Sequence, residues 1–166
     1  MSNLPTFEFE EDLQAQGYLN IAGVDEVGRG PLAGPVFAAA VILDPRHIPN
    51  GLNDSKKLSV KKREILLKAI MKHAEVSIAS ASEREIETIN ILQASHLAMV
   101  RAVRNLKKRP DHVLVDGNLI PHDLEIPATA LIRGDSRSVS IAAASIVAKI
   151  SRDFVMCDLG QQFPGY

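Results

Sequence analysis

Two apolar segments, Tyr18 to Asp25 and Pro35 to Leu43, are separated only by a turn rich in glycine and proline, Gly28-Arg29-Gly30-Pro31-Leu32-Ala33-Gly34. They read as the two strands of a hairpin. The first ends in adjacent acids, Asp25 and Glu26. Neighbouring carboxylates repel, and at the edge of a core they are costly unless a cation or a dense set of hydrogen bonds compensates them. The glycines that follow let a ligand approach the main chain closely. The segment therefore reads as a metal site beside a backbone-lined slot. In a regular strand Asp25 and Glu26 would point to opposite faces, so the strand is expected to end or distort there.

A chain of 166 residues is expected to form one domain with a real core, and 46% hydrophobic content without tryptophan predicts a core of Val, Ile, Leu and Ala. The single cysteine, Cys157, excludes an intrachain disulfide framework and a thiolate zinc cluster, and fits a reducing cytoplasm. The longest uncharged apolar runs are too short to span a bilayer, and the acidic stretch Phe7 to Asp12 is unlike a signal peptide, so the protein is expected to be soluble and cytoplasmic. A net charge of −1 argues mildly against nucleic-acid binding, yet Lys56, Lys57, Lys61, Lys62, Arg63, Lys68 and Lys72 outnumber the acids between Asn53 and Glu75. That cluster is either a solvated helix face or a phosphate contact.

Further along, Val76 to Ala81 reads as a third strand, and Lys61 to His73 as a helix burying Ile65, Leu66, Ala69 and Ile70. Ser82, with Glu85 three residues on, has the capping-box pattern that opens a short helix. A longer helix is predicted from Ile91 to Leu106, closed by Arg109-Pro110. His112 to Asp116 and Thr129 to Ile132 read as short strands leading into Asp116-Gly117 and Gly134-Asp135. From Ser138 to Phe154 an alanine-rich apolar stripe predicts a helix packed closely on the sheet. Candidate loops are Asp44 to Lys57, which carries Asp54-Ser55-Lys56-Lys57, and Pro121 to Pro127.

On this reading three strand ends terminate in acids: Asp25-Glu26, Asp116 and Asp135. In open α/β sheets strand ends are where ligands bind, so the three can converge. Four carboxylates without histidine or cysteine make an all-oxygen site that favours Mg²⁺ or Mn²⁺ and suits phosphoryl chemistry. Two such ions can activate water and stabilise a leaving 3′ oxygen at a phosphodiester. Taken singly, Asp116-Gly117 is as well explained as a turn, and Asp135 as a loop residue or a helix-end charge. The glycine turn matches neither the dinucleotide fingerprint nor a P-loop. Ser136, Ser138 and Ser140, with Arg137, lie where free amides could take a phosphate, or where Ser138 simply caps the helix. None of the five histidines has metal-ligand spacing.

Taken together these motifs resemble the ribonuclease HII family, type 2 ribonuclease H. The resemblance rests on Gly23 to Val36, Asn53-Asp54-Ser55-Lys56-Lys57-Leu58-Ser59, Val115-Asp116-Gly117, Gly134-Asp135-Ser136 and Ser140 to Lys149 with Arg152-Asp153. It implies a ribonuclease H-like α/β fold, a five-stranded mixed sheet flanked by helices. It implies an endonuclease cutting RNA in RNA/DNA hybrids, including single ribonucleotides embedded in duplex DNA, and leaving 5′-phosphate and 3′-hydroxyl ends. By that resemblance Asp25, Glu26, Asp116 and Asp135 are the catalytic, metal-binding acids for two Mg²⁺ or Mn²⁺ ions. Gly28, Arg29 and Gly30 would sense the 2′-hydroxyl that distinguishes RNA from DNA. Lys56, Ser136, Ser138 and Ser140 would hold phosphates. Two divalent ions would turn the formal −1 into about +3 and make the active face locally positive.

The family continues with a His-Lys-Gly-Tyr segment and a C-terminal helical region, whereas this sequence stops at Phe163-Pro164-Gly165-Tyr166, and Tyr166 does not match the family's tyrosine. A single catalytic domain shortened at its C-terminus, monomeric and weaker in junction selectivity, is the resulting expectation. A role in ribonucleotide excision during replication follows from the resemblance, without naming a protein partner. Two competing readings are a catalytically impaired hybrid-binding module and a related nuclease acting on DNA junctions.

Overall fold

The computed structural model describes residues 4–30 and 34–162, the last two of these by backbone alone. Pro31, Leu32 and Ala33 of the glycine turn and the Phe163–Tyr166 end lie outside the described residues. The described chain runs α1 (Glu8–Ala15), β1 (Ile21–Val27), β2 (Val36–Ile42), α2 (Val60–His73), β3 (Glu75–Ala81), α3 (Glu83–Arg104), β4 (His112–Asp116), β5 (Ala128–Leu131) and α4 (Val139–Gln162). Two 3₁₀ turns, Ser55–Lys57 and Gly134–Ser136, precede α2 and α4. The five strands form one mixed sheet in the order β3-β2-β1-β4-β5, antiparallel from β3 to β1 and parallel from β1 to β5.

Helices cover both faces. Ala22, Val24, Ala38 and Val115 pack with Ala98, Ala102 and Val103 of α3 on one side. On the other, Ala39 and Val41 pack against Ala143, Ile146 and Val147 of α4, with Leu66 and Ile70 of α2 behind. The small side chains let α4 lie almost on the backbone of β1. A Cβ on Gly23 would overlap backbone atoms of Ser140 and Ile141, so only glycine permits this approach. Gly23→Ala is expected to cost about 2 kcal/mol, the usual scale of overpacking a filled core, measured as a lowered denaturation midpoint with unchanged m-value.

Several elements differ instructively from their predicted spans. The first strand starts at Ile21 rather than Tyr18, because the amides of Leu19 and Asn20 donate to Asp111 Oδ2 at 2.7 and 3.1 Å instead of entering the ladder. It does not end or distort at the acids. The antiparallel register continues through Asp25↔Ala39, Glu26↔Ala38 and Val27↔Phe37. The two predicted helices after Ser82 form one segment broken at Asn90, whose φ of 73° interrupts the helix. The capping box is present: the Glu85 amide donates to Ser82 Oγ at 3.1 Å and the Ser82 amide to Glu85 Oε1 at 3.3 Å. Sequence reading assigned no helix to residues 8–15; α1 has a short apolar face, in which Leu13 joins Ile21, Leu114, Leu131 and Ile141.

A candidate carboxylate metal centre

The parallel ladder between β1 and β4 ends at Val24↔Val115, so Asp25 and Asp116 are the next residues along each strand. Asp25 shares a face with Ala39 and is turned toward α4, while Glu26 shares the opposite face with Ala38. Strand geometry thus does separate the two acids. The longer glutamate side chain closes the gap where β4 stops: one carboxylate oxygen each of Asp25, Glu26 and Asp116 lie within 4.8 Å of one another. The Glu26 amide donates to Asp25 Oδ1 at 2.8 Å, and the Arg29 guanidinium stands 3.8 Å from Glu26 Oε1. Glu26 Oε2 is buried without a hydrogen-bond partner.

Asp135 is not at a strand end. β5 stops at Leu131, Arg133 takes a left-handed conformation, and Asp135 sits in the 3₁₀ turn leading into α4. Its amide donates to Asp116 Oδ1 at 3.3 Å, which ties the turn to the cluster. Its side chain faces Asp54 and Lys56 of the other 3₁₀ turn, whose Asp54 carboxylate accepts the Lys56 amide at 3.0 Å. That turn is fixed to α4 by a buried pair of hydroxyls, Ser145 Oγ donating to Ser55 Oγ at 2.9 Å.

The electrostatics follow from this crowding. Burial, reinforced by Asp116, Glu26 and Asp135, holds the Asp25 carboxyl well above the usual carboxylate range. Burial and Asp116 also raise Glu26, against the opposing pull of Arg29. Burial, Asp116 and Asp54 push Asp135 up to about 6, with Lys56 pulling the other way. Acids that resist ionisation together are compensated by a divalent cation, and a buried carboxylate oxygen without a partner is a vacant donor for one. The residues present therefore fit a hard, oxygen-liganded ion.

Beside the acids lies a cleft of about 340 Å³, lined by Gly28, Arg29, Gly30, Lys56, Lys149 and Arg152 among others. Gly28 has φ +106°, and a Cβ there would come 2.6 Å from Arg152 Nε, which itself donates to the Pro35 carbonyl at 3.1 Å. No described atom lies within 4 Å of where a Cβ on Gly30 would be. The slot is thus shaped by Arg152 beneath Gly28, and none of the described residues covers Gly30.

The serines predicted to hold phosphates are not brought to this cleft. Ser138 is fully buried and its hydroxyl accepts the Ile141 amide at 3.2 Å, the capping alternative. Ser140 is 1% exposed, with its hydroxyl and amide both given to Glu10. Ser136 is half-buried in the 3₁₀ turn and does not line the cleft. Sequence reasoning gave Lys149 and Arg152 no role, although Ser145, Lys149 and Arg152 recur at i, i+4 and i+7, a polar row on an otherwise apolar helix. Asp54 entered the sequence reading only through its loop and the family motif, with no role of its own.

Solved structures share this architecture. The ribonuclease H2 of Pyrococcus horikoshii OT3 superposes with a TM-score of 0.75 at 27% identity, covering 89% of this chain and 78% of that one. The RNase HII in a PCNA complex from Archaeoglobus fulgidus gives 0.71 at 29%, covering 87% and 78%. Sheet, helices and acid cluster together define a ribonuclease H-like protein. A sequence model of Ribonuclease HII matches residues 22–166. A Ribonuclease HII of Ruegeria pomeroyi is 64% identical over 98% of this chain and 69% of its own length, and one of Paracoccus denitrificans is 57% identical over 99% and 78%. The chain belongs to the ribonuclease HII family, metal-dependent hydrolases acting on the RNA of RNA/DNA hybrids.

Proposed function

We propose that this chain cuts the RNA strand of RNA/DNA hybrids, and single ribonucleotides embedded in duplex DNA, at a centre formed by Asp25, Glu26, Asp116 and Asp135. The convergence of three carboxylates within 4.8 Å at the end of the parallel ladder carries this reading. Two Mg²⁺ or Mn²⁺ ions held there would supply activation of water and neutralisation of the leaving oxygen.

The protein's own part is placement and charge. Asp25, buried against α4 and held by the Glu26 amide, is the fixed element of the donor set. Asp116 joins it from the neighbouring strand, and Asp135 is tethered to Asp116 through its amide. A water oxygen bonds to phosphorus, the bond from phosphorus to the 3′ oxygen breaks, and a proton ends on that oxygen; the products are a 5′-phosphate and a 3′-hydroxyl. Lys56 and Lys149, both on the cleft wall, supply positive charge to the phosphate backbone. Among the described residues nothing lies within 4 Å of a Cβ built on Gly30, which supports the reading that a 2′-hydroxyl reaches the main chain at Gly28-Arg29-Gly30, the chemical basis for choosing RNA over DNA.

A duplex carrying one ribonucleotide tests this directly. With Mg²⁺ or Mn²⁺ the chain should nick at the 5′ side of the ribonucleotide and leave an all-DNA duplex intact. Binding without nicking would replace this reading with the hybrid-binding module, and equal cutting of all-DNA duplexes with the junction nuclease.

A further inference from the structure

Glu10, on α1, is a buried acid that the proposed chemistry does not use. Its side chain is 1% exposed, although it lies in a helix whose neighbouring acids Glu8 and Glu11 are not buried. Oε2 accepts the Ser140 hydroxyl at 3.1 Å and the Ser140 amide at 3.4 Å, while Oε1 is buried with no partner. Burying a carboxylate with only part of its hydrogen-bonding capacity used is costly. A solvent-facing position on this short helix would avoid that cost.

The contact is made at a consequential place. Ser140 is where α4 meets the backbone of β1 at Gly23, two residues before Asp25. Upstream on the same stretch, Asp135 donates its amide to Asp116. The residues before α1 hold this junction too: the Thr6 amide donates to the Arg137 carbonyl at 3.1 Å, and the Val139 amide to the Thr6 carbonyl at 3.0 Å. The start of α4 is therefore gripped between β1 on one side and the Thr6–Glu10 strap on the other. A shift of that turn moves Asp135 relative to acids that are fixed by the sheet.

We propose that Glu10 is a positioning residue: it clamps the first turn of α4 against β1 and so sets the place of Asp135 beside the Asp25, Glu26 and Asp116 carboxylates. It touches neither substrate nor metal, and the inference rests on the metal-centre reading above. Removing the clamp should weaken metal binding and, at saturating metal, leave hybrid binding alone, because the cleft walls at Gly28–Gly30 and Lys56 are held by Arg152 and Ser145, further along α4 than the turn Glu10 clamps.

The test compares Glu10→Ala, Glu10→Gln, Ser140→Ala, Ile70→Ala and Asp25→Asn with the parent. Cleavage of a single-ribonucleotide duplex is followed across a Mn²⁺ titration, and melting temperature is read with and without Mn²⁺. Glu10→Ala should raise the Mn²⁺ concentration for half-maximal cleavage about tenfold, the usual effect of losing an outer support of a metal centre. Its Mn²⁺-induced rise in melting temperature should shrink while KM for the duplex, read at saturating Mn²⁺, stays put. Glu10→Gln, which keeps an acceptor for Ser140, should recover most of the loss. Ile70→Ala, equally buried but between α2 and α4, should lower the melting temperature without moving the Mn²⁺ requirement. A parent-like requirement in Glu10→Ala, or an equal shift in Ile70→Ala, overturns the proposal. If Glu10→Ala does not fold, Ser140→Ala decides, an unchanged half-point again overturning it. Parent-like cleavage by Asp25→Asn would instead bring down the metal-centre reading itself.

Discussion

Asp25→Asn is expected to reduce metal-dependent cleavage about a thousandfold while raising the melting temperature of the metal-free chain. The two effects have one cause. Asp25 is the most deeply buried of the clustered acids and faces Asp116, Glu26 and Asp135 at once. An amide of the same shape can still accept the Glu26 amide through its carbonyl, so the backbone has no reason to move. What disappears is a negative charge, which the ion needs and the empty fold resists. Loss of one ligand in a charge-stabilising centre costs roughly 4 kcal/mol of transition-state stabilisation, the upper end for a single electrostatic contact. Relief of like-charge repulsion should return about 1 kcal/mol of folding stability, the common size of such trade-offs at functional sites. Single-turnover cleavage and thermal melts on the same preparations check both halves. A variant that loses activity and stability together would show that Asp25 holds the fold rather than the ion.

The second large effect is the response of stability to pH and metal. Asp25, Glu26 and Asp135 have proton affinities raised by folding, Asp135 to about 6. Between their unfolded values, near 4, and those raised values, the folded chain binds more protons than the unfolded one. Stability from these groups is therefore greatest in acid and is lost as pH rises through that window. His96 and His112 work the other way, since burial lowers their proton affinity and so favours the folded form as pH rises toward their ordinary value of 6.5. Comparison with Asp25→Asn removes this background, because both histidines are common to the two proteins. Without metal, the melting temperature of Asp25→Asn should exceed that of the parent by a margin that widens from pH 4 to pH 7. Mn²⁺ should close and reverse the gap, stabilising the parent by about 2.7 kcal/mol at a hundred times its dissociation constant. Because ligation needs ionised carboxylates, that stabilisation should fade toward pH 4. A pH-independent margin would mean the acids are not coupled in solution as their geometry requires.

Much of the fold was legible because its signals are local. The capping box at Ser82 and Glu85 is a contact between residues three apart, and it formed as read. The alanine stripe of α4 reported its own close packing. The predicted break before Ile91 appears as the kink at Asn90. α1 was not legible, since its apolar face is short and its most telling residue, Glu10, looks like one more surface acid. Only the arrival of Ser140, from the far end of the chain, makes its burial intelligible.

The acids show the same division. Which acids to look for, and the expectation of a hard divalent ion rather than zinc, followed from residue type and from the absence of cysteine and histidine partners. How Asp25 and Glu26 serve one centre did not. Strand periodicity alone sends them to opposite faces, and it does so here. Their convergence depends on the β1–β4 ladder ending at Val24↔Val115, which leaves room for the longer Glu26 side chain to reach Asp116. Likewise Asp135 reads as a strand-end acid, yet a left-handed Arg133 and a 3₁₀ turn carry it to Asp54 and Lys56. Of the serines after it, Ser140 and Ser138 have their polar groups engaged by Glu10 and the amide of Ile141, and the Glu10 contact comes from a segment the local sequence pattern does not reveal. Residue chemistry, turn signals and helical or strand period were written in the sequence, since each acts over a few neighbouring residues. Which carboxylates converge and which serines are covered was decided only by tertiary structure, because those outcomes depend on where strands stop and on what distant segment arrives to cover them.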